Sequence, residues 1–430
     1  MIIPREKYLN ALIKKQWNGR IKIVTGIRRC GKSTLLLKLF HEHLLNTGVK
    51  PEQIITLELD SDINEAYRDP KALSQYIRSK IVDAQEQYYV LLDEIQFAIT
   101  KDELRDKDQP VRLYGVLNGL LHLGNTDVYV TGSNSKILSH DIASEFRGRG
   151  DTIQVYPFSF KEYYAAAGKD KRDAYDEYKM FGGMPYLLTL DSDEEKYDYL
   201  SQLFEEIFYK DIEERYNLAL PGILREMTST LCSSIGSLTN ASKIARSIQS
   251  AKNIKVNSET ISAYLGYLTD SFLFSRALRC DVKGKKYFEY PCKYYCTDIG
   301  LRNVRLELRQ QEEPHVMENI IYNELKVRGY QVDVGVISLT EKNDQGQRTS
   351  RSCEIDFIAR KGAKKYYLQS AFSVSDPAKE NTELRPLRHT QDSFKKILIS
   401  QDYGKSWFDE TGILRIGLID FLLDENSLDR

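Results

Sequence analysis

The stretch IKIVTGIRRCGKSTLLLKLF, residues 21–40, constrains this chain more than any other. A short apolar run from Ile21 to Val24 leads into Gly26. Four residues later Gly31, Lys32 and Ser33 open an apolar-periodic segment. This is a glycine-rich phosphate loop in the context it needs, with a strand before it and a helix after it. Across Gly26, Ile27, Arg28, Arg29, Cys30 and Gly31 the backbone can turn its N–H groups toward phosphate, and the helix N-terminus adds a favourable dipole. Lys32 is expected to reach the β- and γ-phosphates of ATP and Ser33 to ligate Mg²⁺, with Thr34 ending the nucleotide-binding stretch.

A second element matches the first. QYYVLLDEIQ is an apolar run of strand type that ends in Asp93 and Glu94. Two carboxylates are thereby expected at the C-terminal edge of a buried parallel strand, where open α/β sheets bind ligands. Asp93 is expected to hold Mg²⁺ through water, and Glu94 to polarise the attacking water. A third strand, DVYVTGSNSKIL, offers Asn134 as a sensor of the γ-phosphate with Ser133 as the alternative, although either residue could equally cap the next helix. In SEFRGRGD, Arg149 or Arg147 could stabilise charge on the transferring phosphoryl group, in cis or from a neighbouring subunit. Asp60, after IITLEL, ends a further strand and could face the nucleotide or cap its loop.

Strands at about 21–25, 54–59, 89–93, 127–131 and 152–156 alternate with helical patterns, predicting a mostly parallel sheet over residues 1–157. Residues 158–220 read as helical, interrupted by FGGMP at 181–185, a helix break or hinge. Residues 221–300 read as two short capped helices and a strand pair around Lys283-Gly284-Lys285-Lys286, the order of a winged helix. The would-be recognition helix carries Glu259, Ser262 and Tyr264 but no Arg or Lys, which suits a major-groove reader poorly.

Residues 301–430 bring a helix with Glu318, a strand CEIDFIAR with Asp356, and a strand YYLQSAF. That order resembles the PD-(D/E)xK nuclease fold, whose last strand carries an acid and a lysine two residues apart. Here those positions hold Gln369 and Ala371. Gln369 is neutral and binds a hard cation weakly, and Ala371 can neither activate water nor stabilise charge. A retained nuclease-like scaffold without nuclease activity is the expectation. The tract Arg360, Lys361, Lys364 and Lys365 could grip a nucleic-acid backbone or merely keep a turn soluble.

At 430 residues the chain can form two to four domains, and its 41% hydrophobic and 29% charged residues are those of an ordinary globular protein. A net charge of −1 confines any nucleic-acid surface to a local patch. Six scattered cysteines, with no second ligand pair beside Cys292 and Cys296, point to reduced thiols in the cytoplasm. No apolar run approaches the ~20 residues that span a bilayer, and MIIPREKYLNALIKKQW lacks the apolar core of a signal peptide.

Taken together, GIRRCGKST, LLDEIQ, VTGSNSKILS, FRGR with YPFSFKEY, and GGMP resemble AAA-type P-loop ATPases of a prokaryotic group. That group joins the ATPase core to a C-terminal region of uncharacterised function. The resemblance covers nearly the whole chain. It implies ATP binding and hydrolysis, with the helical segment as a lid over the nucleotide. The expected fold is an α/β P-loop core, a helical lid, a winged helix and a nuclease-like C-terminal α/β domain (301–430). The expected activity is Mg²⁺-dependent ATP hydrolysis driving or gating the C-terminal domains; the alternative is a nucleic-acid-binding regulator that uses ATP as a switch. The sequence leaves open a nucleic acid or a protein as partner, and any oligomeric state.

Overall fold

The computed structural model describes residues 3–430 except 101, 104–110, 134–149, 217, 219, 284–286, 310, 311, 343–347, 375 and 403. The chain divides into two compact units. One comprises Met1–Pro157, Ile207–Asn217 and Asp270–Phe272; the other comprises Phe158–Glu206, Leu218–Thr269 and Leu273–Arg430.

The first unit is built on a five-stranded, wholly parallel sheet. Its strands are β1 (Ile21–Thr25), β2 (Ile54–Glu58), β3 (Tyr88–Asp93), β4 (Thr126–Gly132) and β5 (Gly150–Gln154), in the order β2-β3-β4-β1-β5. β1, β3 and β4 are buried along their whole length because helices cover both faces, as parallel sheets require. Alternate residues on one face, among them Ile23, Val90, Leu92 and Val130, pack with Leu73, Ile77, Leu113 and Leu117 of two helices, Pro70–Lys80 and Arg112–Leu121. On the other face Phe40, from the helical segment that follows the phosphate loop, packs against Tyr129 with ring centroids 4.6 Å apart.

The second unit begins with helices Phe160–Ala167, Lys171–Phe181 and Asp193–Glu206. The FGGMP break between the last two is a buried knot, not a loose hinge. Gly182 lies at φ +77° against the Asp298 carboxylate, so an added Cβ would meet Asp298 Oδ1 at 2.2 Å. The Gly183 N–H donates to the same carboxylate at 2.8 Å.

Helices Pro221–Ser233, Ala241–Lys252 and Ser258–Asp270 follow, the second capped by the Asn240 side chain. An eight-stranded mixed sheet then forms from β6 (Phe274–Asp281), β7 (Tyr287–Cys296), β8 (Gln331–Lys342), β9 (Arg348–Lys361), β10 (Lys364–Ala371), β11 (Lys395–Ser400), β12 (Trp407–Phe408) and β13 (Leu414–Gly417). Its order is β12-β13-β11-β10-β9-β8-β6-β7.

This sheet runs across the expected boundary at residue 300. The β6–β7 hairpin is not a separate wing, because β6 also pairs in parallel with β8 from Arg279↔Val334 to Asp281↔Val336. The hairpin is local and legible, whereas its pairing with a strand more distant in the chain is set by tertiary packing. Gly284, Lys285 and Lys286 lie outside the described residues.

Candidate active site

The phosphate loop joins β1 to the helix that starts at Lys32. Gly26 (φ +149°) and Gly31 (φ +98°) take backbone conformations that side chains rarely adopt, and Arg29 is also left-handed at φ +62°. A Cβ on Gly26 would come within 2.1 Å of the Val155 carbonyl oxygen, so the first glycine is demanded by contact as well as by φ. Ile27 and Cys30 are fully buried and anchor the loop. The Cys30 Sγ lies 3.5 Å from the Val155 oxygen, burial pushes its thiol pKa up, and Arg5 donates to the Cys30 carbonyl at 3.0 Å. Ser33 and Thr34 follow Lys32 in the first helical turn.

Lys32 is 3% exposed, and its ammonium donates to the carbonyls of Gly26 (3.1 Å) and Ile27 (3.2 Å). It also lies 3.7 Å from the Glu94 carboxylate. Arg28 makes a two-pronged ion pair with Asp211, at 3.0 and 2.8 Å. Asp211 belongs to the π-helical turn Ile207–Glu213, and no sequence pattern marks it.

Asp93 ends β3 at 2% exposure, and its carboxylate accepts hydrogen bonds from the Thr131 and Ser33 hydroxyls. Burial raises its pKa to about 6, with the neighbouring Glu94 charge adding to the effect; the two hydroxyls and Lys32 oppose it. Oxygens of Glu58, Asp60 and Asp93 lie within 4.8 Å of one another, so Asp60 does turn toward the end of β3.

Glu94 adopts a left-handed conformation, φ +51°, a costly one for a side-chain-bearing residue. Its N–H donates to the Thr131 hydroxyl at 3.0 Å, so Thr131 ties Asp93 and Glu94 to β4. Gln96 donates from its amide to the Glu94 carboxylate and reaches the Ser133 hydroxyl at 3.4 Å. Thr131 and Gln96 lie within the strand-end motifs, yet motif chemistry alone does not single them out. Their positions beside the carboxylates are the one signal that could. Asn134, Arg147 and Arg149 lie outside the described residues.

The second unit holds another charged cluster. Lys293 on β7 is 3% exposed, and its ammonium lies 2.9 Å from Glu318, 2.6 Å from Glu354 and 3.7 Å from Asp356. The Tyr295 hydroxyl donates to Glu318 at 2.7 Å. A lysine therefore does stand among these acids, supplied by a strand that the hairpin pattern does not contain. Gln369 serves the fold, since its amide donates to Glu383 at 3.0 Å and its carbonyl accepts from the Asp356 N–H at 3.3 Å. Ala371 is buried in the core.

The basic tract beside this cluster is engaged by the fold itself. Arg360 pairs with Asp333, Lys361 donates to the Arg328 carbonyl at 2.8 Å, Lys364 pairs with Asp429 at 2.7 Å, and Lys365 donates to the Tyr367 hydroxyl at 2.6 Å.

Residues 18–164 match the AAA domain family, and residues 172–312 match a domain of unknown function. The first unit is thus an AAA-type P-loop ATPase fold. Over 431 residues the chain is 35% identical to an uncharacterised protein of Haemophilus influenzae, covering 98% of this chain and 99% of that one, and it belongs to the same family. A relative from Methanocaldococcus jannaschii is 25% identical over 93% of this chain and 89% of its own. Among solved structures, the Aeropyrum pernix ORC1 protein in complex with DNA aligns at 14% identity over 74% of this chain and 94% of that one, with a TM-score of 0.29.

Proposed function

We propose that this protein is a Mg²⁺-dependent ATPase whose hydrolysis drives or gates its C-terminal interaction domains. The observation that carries the reading is the convergence of Lys32, Ser33, Asp93 and Glu94 around the ends of β1 and β3. Asp93 and Ser33 fit a hard cation, since a buried carboxylate and a hydroxyl already face each other. Bound there, Mg²⁺ would neutralise charge on the β- and γ-phosphates. Lys32 would leave the Gly26 and Ile27 carbonyls to bind phosphate, so the loop exchanges internal hydrogen bonds for ligand contacts. Glu94 would take a proton from water as its oxygen attacks the γ-phosphorus.

ATP turnover of the full chain tests this. Lys32→Ala should abolish nucleotide binding. Glu94→Gln should bind ATP yet lose on the order of 10²–10⁴-fold in turnover. A Glu94→Gln enzyme of normal rate removes Glu94 from the role of base.

We read the C-terminal segment as a nuclease-like scaffold in which the Lys293 ammonium takes the place between carboxylates that a metal would need. The internally paired basic tract favours a protein partner over nucleic acid. Turnover unchanged by duplex or single-stranded DNA, and no plasmid nicking with Mg²⁺ or Mn²⁺, are the results this reading expects. The six free cysteines accord with the reducing cytoplasm.

A further inference from the structure

Gln96 sits in the 3₁₀ turn Ile95–Ala98, directly after the strained Glu94, and is 9% exposed. One end of its amide faces the Glu94 carboxylate and the Ser133 hydroxyl. A carboxylate only accepts hydrogen bonds, so that end must be the NH₂ group, and both of its protons are then committed. The other end, Oε1, is buried and has no hydrogen-bond partner among the described residues. A buried carbonyl left without a donor forfeits the hydrogen bonds it would have made to water. The turn nevertheless holds Gln96 in this orientation, with Nε2 on the base and Oε1 unmatched.

We propose that Gln96 is a catalytic residue that orients the attacking water, its Oε1 accepting one O–H of that water while Glu94 accepts the other. The inference rests on the ATPase reading of the same site. A water held at two points has its lone pair aimed, which removes rotational freedom before the chemical step. As the water oxygen bonds to the γ-phosphorus, the bond from that phosphorus to the β–γ bridging oxygen breaks. ADP leaves with the electron pair, and the proton passes to Glu94. Gln96 takes no proton. It also holds the Glu94 carboxylate through Nε2, while Ser133 keeps the amide from rotating.

Steady-state kinetics of Gln96→Ala and the near-isosteric Gln96→Met, with ATP affinity measured separately by titration, test the idea. The expected result is ATP affinity within about twofold of the unsubstituted protein and kcat lower by roughly 10–100-fold, a fraction of the general-base contribution. A purely structural Gln96 would lower stability while leaving the kcat of the folded variants unchanged. If the unsubstituted protein hydrolyses ATP and both neutral variants match it, the inference is wrong while the ATPase reading stands. If the unsubstituted protein turns over no ATP, and so matches Lys32→Ala, both are overturned.

Discussion

Replacing Lys293 by methionine takes away the ammonium that Glu318, Glu354 and Asp356 share at 2.9, 2.6 and 3.7 Å. Burial works against the charged lysine, but Glu318, Asp356 and Glu354 outweigh it and hold its pKa above the usual value. Methionine keeps the volume and leaves three carboxylates facing one another, two of them over nine-tenths buried. Removing one partner of a buried pair costs about 3–5 kcal/mol. Glu354 is partly exposed and screened, so the lower end of that range is expected.

The cost must depend on pH. Burial, and then the Glu318 charge, push the Asp356 pKa well up, with Lys293 opposing. A carboxyl raised in the folded state stabilises the fold below its unfolded pKa, and that contribution is lost as pH rises through the folded value. Without Lys293 the folded value climbs further. The variant's deficit is therefore largest at alkaline pH and shrinks as the carboxyls take up protons. Urea unfolding of the full chain at pH 5.5 and 8, with amide exchange in β7 and β9 reporting on this unit, measures it. A deficit below about 1 kcal/mol, or one equal at both pH values, would refute the counter-ion argument.

Two further outcomes follow from the nucleotide unit. Because the Asp93 pKa is raised to about 6, its charged form is disfavoured in the folded protein. Asp93→Asn should raise stability at pH 8 by on the order of 1–3 kcal/mol in thermal unfolding while abolishing Mg²⁺-dependent turnover, and Mg²⁺-ATP affinity of the unsubstituted protein should fall below about pH 6. Arg28→Ala and Asp211→Asn each break a two-pronged ion pair whose carboxylate is 2% exposed. A double-mutant cycle by urea denaturation should give a coupling of roughly 0.5–3 kcal/mol, and a coupling near zero would show the contact to be incidental.

The nucleotide half was legible because its information is local. Gly26, Gly31, Lys32 and Ser33 lie within eight consecutive positions. Asp93 and Glu94 end an apolar run whose burial follows from its composition. Such patterns constrain the chain before any long-range contact forms.

What was hidden depends on which distant residues meet. Thr131 meets the Glu94 N–H, and Ser133 the Gln96 amide, only because β3 and β4 lie side by side in parallel. Asp211 reaches Arg28 across 183 residues of chain.

The lysine absent from the last strand of the nuclease-like order could not be sought in a hairpin motif. Lys293 comes from β7, 63 residues before Asp356, and the two meet only after the β6–β7 hairpin joins the eight-stranded sheet. Spacing along the chain thus identified the phosphate loop and the two acids. The partners that orient, neutralise or replace those groups were decided by strand order and register, which no local pattern specifies.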